Sequence, residues 1–390
     1  MNVQDGPAEA EFRAGVRAWL AENLPPGWGT PEWRWPEDRV GFLKDWSRRL
    51  YDGGYAGLAW PEAYGGRGAP LPLQAIAYEE FARADAPDHV GLIGIGMAGP
   101  TIISAGTDEQ KARYLRKILT GEEVWCQGFS EPGAGSDLAS LQTRAVPDGD
   151  GFRITGQKVW SSFAHIADRC ILLARTDPAA PKHDGITYFL VDMHADGVEA
   201  RPLRHMTGDA EFNEIFLDDV YVPREDVVGE VNRGWQVAIT TLLHERGSTA
   251  FFLLGRLDVR FRRLLQTVRS LRTDGRVAAD DPLVREAVAR AYADLQALRF
   301  TSWRALSDMV RSGMPGPEGS IIKLQWSEAN QRLTRLGLDL LGPDAALWPG
   351  GHDSWQWQQL RSHGNTIEAG TSEVLRSIVA ERVLGLPRSR

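Results

Sequence analysis

Hydrophobic positions change rhythm twice along the chain. AEAEFRAGVRAWLAENL sets Phe12, Val16 and Leu20 four residues apart with Trp19 beside them, the apolar face of a helix that must stop at Pro25-Pro26. TDEQKARYLRKILTGE opens on Thr107, an N-cap residue type, and ends at Gly121, a C-cap. From 125 to about 235 the rhythm shortens. DGDGFRITGQKVWSS combines an Asp-Gly-Asp-Gly hairpin turn with apolar alternation, and RCILLART, ITYFLVDM and EIFLDDVYVP follow as short β-rich runs. After NRGW the helical period returns. In DDPLVREAVARAYADLQALRF, Asp281 can cap, Pro282 suits the first helical position, and Val284, Val288, Leu295 and Leu298 share a face. A last helix is expected from Ser372 to Leu384, with Val374, Leu375, Ile378, Val379 and Val383 as its stripe and Gly385-Leu386-Pro387 as its stop. All these stripes read as core packing. The pattern predicts an α+β chain: an N-terminal α-helical domain over 1–124, a middle β-barrel or sandwich domain over 125–236, and a C-terminal helical bundle over 237–390.

Composition narrows the function classes. With 390 residues and 43% hydrophobic content the chain can bury a large core. A formal charge of −8 argues against a general nucleic-acid or anionic-membrane surface, while leaving room for a local basic pocket that takes an anionic ligand. Two cysteines, Cys126 and Cys170, support no disulfide framework and fit a reducing, cytoplasmic location. The N-terminus MNVQDGPAEAEF lacks the apolar core of a secretory signal. The longest uncharged run, residues 90–107, is broken by glycines and a proline and falls short of the ~20 residues a membrane span needs. It is expected to be a buried helix. No metal site is expected.

Two stretches carry candidate chemistry. In WCQGFSEPGAGSD (125–137), Gly133 and Gly135 let backbone amides approach a ligand, and Ser130 and Ser136 add hydroxyls. In TGQKVWSS (155–162), strand alternation would point Trp160 and Ser162 the same way, an indole face beside a hydroxyl that could wall an aromatic cofactor. Taken singly, an inter-domain loop and a core tryptophan explain them as well.

Together with GLAWPEAYGG and GTSEVLRSIVAERVLGLPR, the spaced pair SEPGAGSD and GQKVW makes nearly the whole chain resemble the acyl-CoA dehydrogenase family. The resemblance implies a helical domain, a β domain and a C-terminal four-helix bundle. It also implies FAD, an acyl-CoA thioester substrate, α,β-dehydrogenation, and electron-transferring flavoprotein as acceptor. By position, Phe129 and Ser130 would meet the flavin ring, Trp160 would lie against it, and Ser162 would bond near its reactive nitrogen. Thr371 and Glu373 would contact FAD at the start of the last helix, where Glu373 could equally be a first-turn carboxylate complementing the helix dipole. Ser136 would lie along the CoA path, with Arg246 and Gly370 also on the substrate side.

The reaction needs a carboxylate base near the acyl α-carbon, and here the chain departs from many relatives. They place a glutamate immediately before Gly-Thr in HGNTIEAGTSEVL; this chain has Ala369 there, with Glu368 one position early. In an extended loop a one-residue shift turns a side chain to the other side. Some relatives instead carry the base on the first long bundle helix, directly before an arginine, which here is Glu245 before Arg246. Glu245 is therefore the first choice and Glu368 the second; without the resemblance, Glu245 would be an ion-paired helix carboxylate. The N–H of Ala369 would still polarise the thioester carbonyl, and the small alanine hints at a bulky acyl group. A second departure concerns FAD. The Arg-x-x-Phe-Gly stretch of relatives has no clean counterpart, and their Gln-x-x-Gly-Gly-x-Gly becomes DLLGPDAAL, with Asp339 and Pro343 at two of its positions. An aspartate would repel a pyrophosphate. The expected assembly is thus a homo- or hetero-oligomer, a dimer or tetramer, in which a related subunit could complete the FAD site. The alternatives are a non-catalytic partner subunit and a flavin monooxygenase on the same fold.

Overall fold

A computed structural model describes residues 5–30, 32–273, 275–312, 316 and 318–387; the side chains of 244–250, 273, 312 and 318 are outside that description. Five helices come first: α1 (Pro7–Asn23), α2 (Arg39–Asp52), α3 (Leu71–Arg83), α4 (Gly99–Ala105) and α5 (Asp108–Thr120). Val16 and Leu20 are buried, as their spacing predicts. α5 begins with a complete capping box, in which Thr107 accepts from Gln110 N–H and the Gln110 side chain accepts from Thr107 N–H. Such a box contributes about 1 kcal/mol. The glycine-rich run preceding α4 is helical with a π turn over Gly94–Ala98.

Eight strands follow: β1 (Trp125–Gly128), β2 (Arg144–Asp148), β3 (Gly151–Ser162), β4 (Arg169–Arg175), β5 (Ile186–Asp192), β6 (Val198–Leu203), β7 (Phe212–Pro223) and β8 (Val227–Val228). They form one sheet in the order β6-β7-β3-β2-β4-β5-β8, with β1 running parallel to β4. β4 and β5 are buried almost throughout, so both of their faces are covered, and their sequences are correspondingly unbroken apolar runs. Phe152, Ile154, Leu172, Phe189, Ile215 and Leu217 are the centre of this core.

The rest is helical apart from two short antiparallel strands, Arg272–Thr273 and Arg276–Val277: α6 (Gly234–Ser270), α7 (Pro282–Ser312), α8 (Glu318–Asp339), α9 (Trp355–Asn365) and α10 (Ser372–Ile378). Asp281 accepts from Leu283 N–H at 2.8 Å and so caps α7, with Pro282 in first position. The last helix departs from expectation. After Ile378 it passes into a π turn, Val379–Val383, which re-phases the side chains. Of the predicted stripe Leu375 alone is buried, and Val383 is exposed.

By packing, the chain divides into two compact units that interleave in sequence. One comprises 1–17, 71–86 and 246–390, and its core includes Ala75, Leu254, Leu257, Leu264, Leu298 and Trp326. α3 belongs here because Gly255 lets α6 approach it: a Cβ on Gly255 would lie 2.4 Å from that of Ala82. The other unit comprises 18–70 and 87–245 and contains the sheet. No helix among the described residues is long and apolar enough to cross a membrane.

Candidate functional site

In the sheet unit, the two motifs singled out from sequence are joined by a buried ion pair. Lys158 of β3 is fully buried, and its ammonium donates to Glu131 Oε1 at 2.8 Å and to the carbonyl of Phe129 at 3.2 Å. Glu131 also accepts from the N–H groups of Gln142 (2.6 Å) and Thr143 (2.8 Å). Burial works to raise the Glu131 carboxyl, but Lys158 and these donors outweigh it and hold it below the ordinary carboxylate range. Val159 N–H donates to the Ser130 carbonyl at 2.9 Å, so residues 129–131 are stapled to β3 on both sides. Close packing demands Gly128 just before them, since a Cβ there would lie 2.6 Å from Leu172. Phe129 is buried edge-on to Tyr188 of β5, with ring centroids 5.9 Å apart. Ser130 is half-buried and Ser136 exposed.

Strict alternation does not carry through to Trp160 and Ser162. A register shift against β7 lies between Lys158 and Ser161, and both of these residues are buried. Trp160 sits in the bulge with a left-handed φ of 61°. Bulges of this kind re-aim a side chain. Here the indole is 59% exposed, braced at its edge by Phe212. The hydroxyl of Ser161 beside it is buried and has no partner among the described residues. Gly133 and Gly135 face open space.

A second chemical region lies in the helical unit, in the turn between α9 and α10. Thr371 caps α10, accepting from Val374 N–H at 3.2 Å, and Glu373 is an exposed first-turn carboxylate. Its own N–H and the Thr371 hydroxyl hold Glu373 below the usual carboxylate range. Thr366, Ile367, Thr371, Ser372 and Glu373 line a cavity of about 480 Å³ with Glu328, Gln331, Arg332 and Arg376. The Ser372 hydroxyl is buried and unpartnered among the described residues. Ala369 is exposed with a left-handed φ of 51°, and Gly370 follows at 95°. Glu368 is already engaged: Oε1 accepts from Asn365 Nδ2 at 2.6 Å, and Oε2 pairs with Arg361 at 3.0 Å.

The side chains of Glu245 and Arg246 lie outside the described residues; their backbone continues α6 without a break. One turn earlier, Thr241 is fully buried and bonded to Thr101 (2.8 Å) and to the hydroxyl of Tyr188 (3.2 Å). Asp339, at the end of α8, pairs with Arg335 at 2.8 Å.

Sequence reasoning missed the two lysines that organise these regions, Lys158 and Lys323. Lys158 sat at an inward phase of β3, after Phe152 and Ile154, and an inward charge requires a buried partner. Lys323 donates to the carbonyls of Asn365 (2.7 Å) and Gly370 (2.8 Å). It lies on α8 in a buried polar stripe with Ser327, Asn330 and Thr334, which sequence alone would assign to solvent.

Comparison with known proteins gives a consistent result. Family models match end to end: "Acyl-CoA dehydrogenase, N-terminal domain" over residues 6–122, the "middle domain" over 126–220 and the "C-terminal domain" over 232–384. Acyl-CoA dehydrogenase IpdE1 of Mycobacterium tuberculosis (strain ATCC 25618 / H37Rv) is 44% identical over 388 residues, 97% of this chain and 98% of that protein. Among solved structures, the Tcur3481-Tcur3483 steroid ACAD superposes with a TM-score of 0.86 at 34% identity, covering 100% of both chains. The ChsE4-ChsE5 complex from Mycobacterium tuberculosis gives 0.85 at 31%, also covering 100% of both chains. With every segment matched in order and the motif residues gathered into these two regions, the chain belongs to the acyl-CoA dehydrogenase family, FAD-dependent oxidoreductases acting on acyl-CoA thioesters.

Proposed function

We propose that this chain catalyses α,β-dehydrogenation of an acyl-CoA thioester to the trans-2-enoyl-CoA, with Glu245 as the base that removes the α-proton. One observation carries the choice of base: the turn that holds the base in many relatives presents Ala369, and the neighbouring Glu368 is tied to Arg361 and Asn365. The proton acceptor must then come from elsewhere. Glu245 follows by one turn Thr241, which is bonded to Tyr188, itself packed on Phe129 of the first motif.

The residues present fit FAD. Trp160 offers an exposed indole, two glycines open the 133–135 loop, and the Ser372 hydroxyl, beside a cavity, is a donor with no partner among the described residues. Phe129, Ser130, Trp160, Ser162, Thr371 and Glu373 would hold the cofactor, which when bound would accept the hydride leaving the β-carbon. Glu245 takes the α-proton. The N–H of Ala369 donates to the thioester oxygen as negative charge develops there, and Ser136, Arg246 and Gly370 bind the CoA thioester. The small Ala369, together with a structural neighbour described as a steroid ACAD, supports a bulky acyl group such as a steroid side chain. The acceptor of the electrons is an electron-transferring flavoprotein. Asp339 and Pro343, at two positions where relatives reach FAD, support a hetero-oligomer in which a related subunit completes the cofactor site, and a neighbour solved as the ChsE4-ChsE5 complex agrees with that arrangement.

The test is anaerobic flavin bleaching by straight-chain, branched and steroid-side-chain CoA thioesters, in wild type and Glu245→Gln. A base in place contributes about 10²–10⁴-fold, so the variant should bleach more slowly by that factor with FAD still bound. Bleaching at the wild-type rate would remove Glu245 from the role.

A further inference from the structure

Ala369 occupies the left-handed region, which L-residues rarely adopt. Something must hold it there, and the turn around it is fastened on every side. The Lys323 ammonium, nearly buried, bridges the carbonyls of Asn365 and Gly370 at 2.7 and 2.8 Å, one on each side of the Ala369 residue. Asn330 Nδ2 fixes Asn365 Oδ1 at 2.9 Å, and Asn365 Nδ2 in turn donates to Glu368 Oε1 at 2.6 Å. Arg361 takes the other oxygen of Glu368 at 3.0 Å, while Glu368 N–H donates to the Gly364 carbonyl at 2.9 Å. On the far side, Ser372 N–H donates to the Thr366 carbonyl at 3.0 Å. Within this frame the N–H of Ala369 has no acceptor among the described residues, and the residue is exposed. A fixed frame around one free donor is the arrangement required for stabilising a developing oxyanion without reorganisation.

We propose that Lys323 and Glu368 are positioning residues: they lock the 365–370 turn so that the Ala369 N–H stands ready for the thioester oxygen, and Glu368 serves as the anchor of that lock and is not the proton acceptor. This rests on the reaction proposed above. Both carboxylate oxygens of Glu368 are already engaged within the turn, one by Asn365 and one by Arg361, which suits an anchor. Lys323 meets this turn at the carbonyls of Asn365 and Gly370, so its removal should weaken carbonyl polarisation while leaving the base intact.

The experiment uses the FAD-loaded protein, assembled with its partner subunit if one is needed. An arylacryloyl-CoA, a chromophoric thioester whose absorption moves to longer wavelength as its carbonyl is polarised, reports the donor directly; anaerobic bleaching reports turnover. Lys323→Met and Glu368→Ala should lose at least half of the spectral shift and bleach about 10–100-fold more slowly at saturating substrate, with FAD content retained. Lys323→Arg should restore part of both. Glu368→Gln, which keeps an acceptor for Asn365 but can take no proton, should bleach within about tenfold of wild type, and it decides the question by itself if Lys323→Met does not fold. A wild-type shift and rate in Lys323→Met would overturn the lock. A 10²–10⁴-fold loss in Glu368→Gln with the shift intact would make Glu368 the base and overturn its anchoring role. If Glu245→Gln bleaches normally while Lys323→Met loses the shift, the base assignment falls and the lock stands. Wild-type protein that binds the probe without a shift overturns the lock, whereas failure to bind any CoA thioester overturns the function itself.

Discussion

His89 shows how much one side chain can impose on the whole protein. Its ring is buried, with Nδ1 accepting from Gly91 N–H at 2.9 Å and Nε2 donating to the Leu119 carbonyl at 3.1 Å. The neutral tautomer is therefore built in, because a second proton would meet the Gly91 N–H. Burial pulls its pKa from 6.5 down to about 4, against the opposing bond to Leu119. Above pH 6.5 the ring is neutral in folded and unfolded chains alike. As pH falls from 6.5 toward 4, the unfolded chain takes a proton that the native ring refuses, and stability is lost; below 4 the loss levels off. At pH 5 it should reach about 2 kcal/mol. Urea unfolding at pH 7 and pH 5 checks this: His89→Gln should lose less stability over that interval than wild type, and identical losses would refute the account. At this scale the sequence was legible for identities and spacing. That Glu368 is one position early, and that Ala369 stands where relatives carry an acid, needed no structure. That Glu368 is occupied by Arg361 and Asn365 could not be read, because those partners come together only when the turn closes.

Among elements, the sheet motif illustrates the same division. SEPGAGSD and GQKVW are recognisable as strings, but what unites them is Lys158 buried against Glu131. Removing one member of such a pair leaves an uncompensated buried charge, and Lys158→Met should destabilise the protein by about 3–5 kcal/mol in denaturant titration. The loss should be accompanied by weaker FAD retention, because the Phe129–Glu131 loop is stapled to β3 through this lysine. Lys158→Met combined with Glu131→Leu should recover part of the stability without the retention; a single variant as stable as wild type would refute the staple. Helix boundaries were legible where caps are local, as at Thr107 and Asp281. They failed where local geometry departs from the regular period: the bulge at Trp160 and the π turn after Ile378 each insert a phase shift that a periodic pattern cannot carry. The buried polar stripe of α8 was not legible for another reason. Ser327, Asn330 and Thr334 look like a solvated face until α9 supplies partners such as Asn365 and Gln359.

For the whole molecule, the open question is whether one chain makes a complete flavin site. Purified alone, this chain should hold less than one FAD per chain, and co-purification with a related subunit should raise flavin content and give a larger, mixed assembly by light scattering. A full complement of FAD in a homo-oligomer would refute the shared site. The sequence by itself determined the family, the order of helices, strands and helices, and the departure at the catalytic turn, because these depend on local periodicity and on motif spacing. Tertiary structure alone decided which charges are buried and with whom, that α3 packs with the C-terminal helices across a gap of more than a hundred residues at Gly255 and Ala82, and that the Ala369 N–H has no acceptor among the described residues. Those outcomes arise from contacts between segments far apart in the chain, and the cost of burying a lysine or holding an alanine left-handed is met only by partners that no local pattern names.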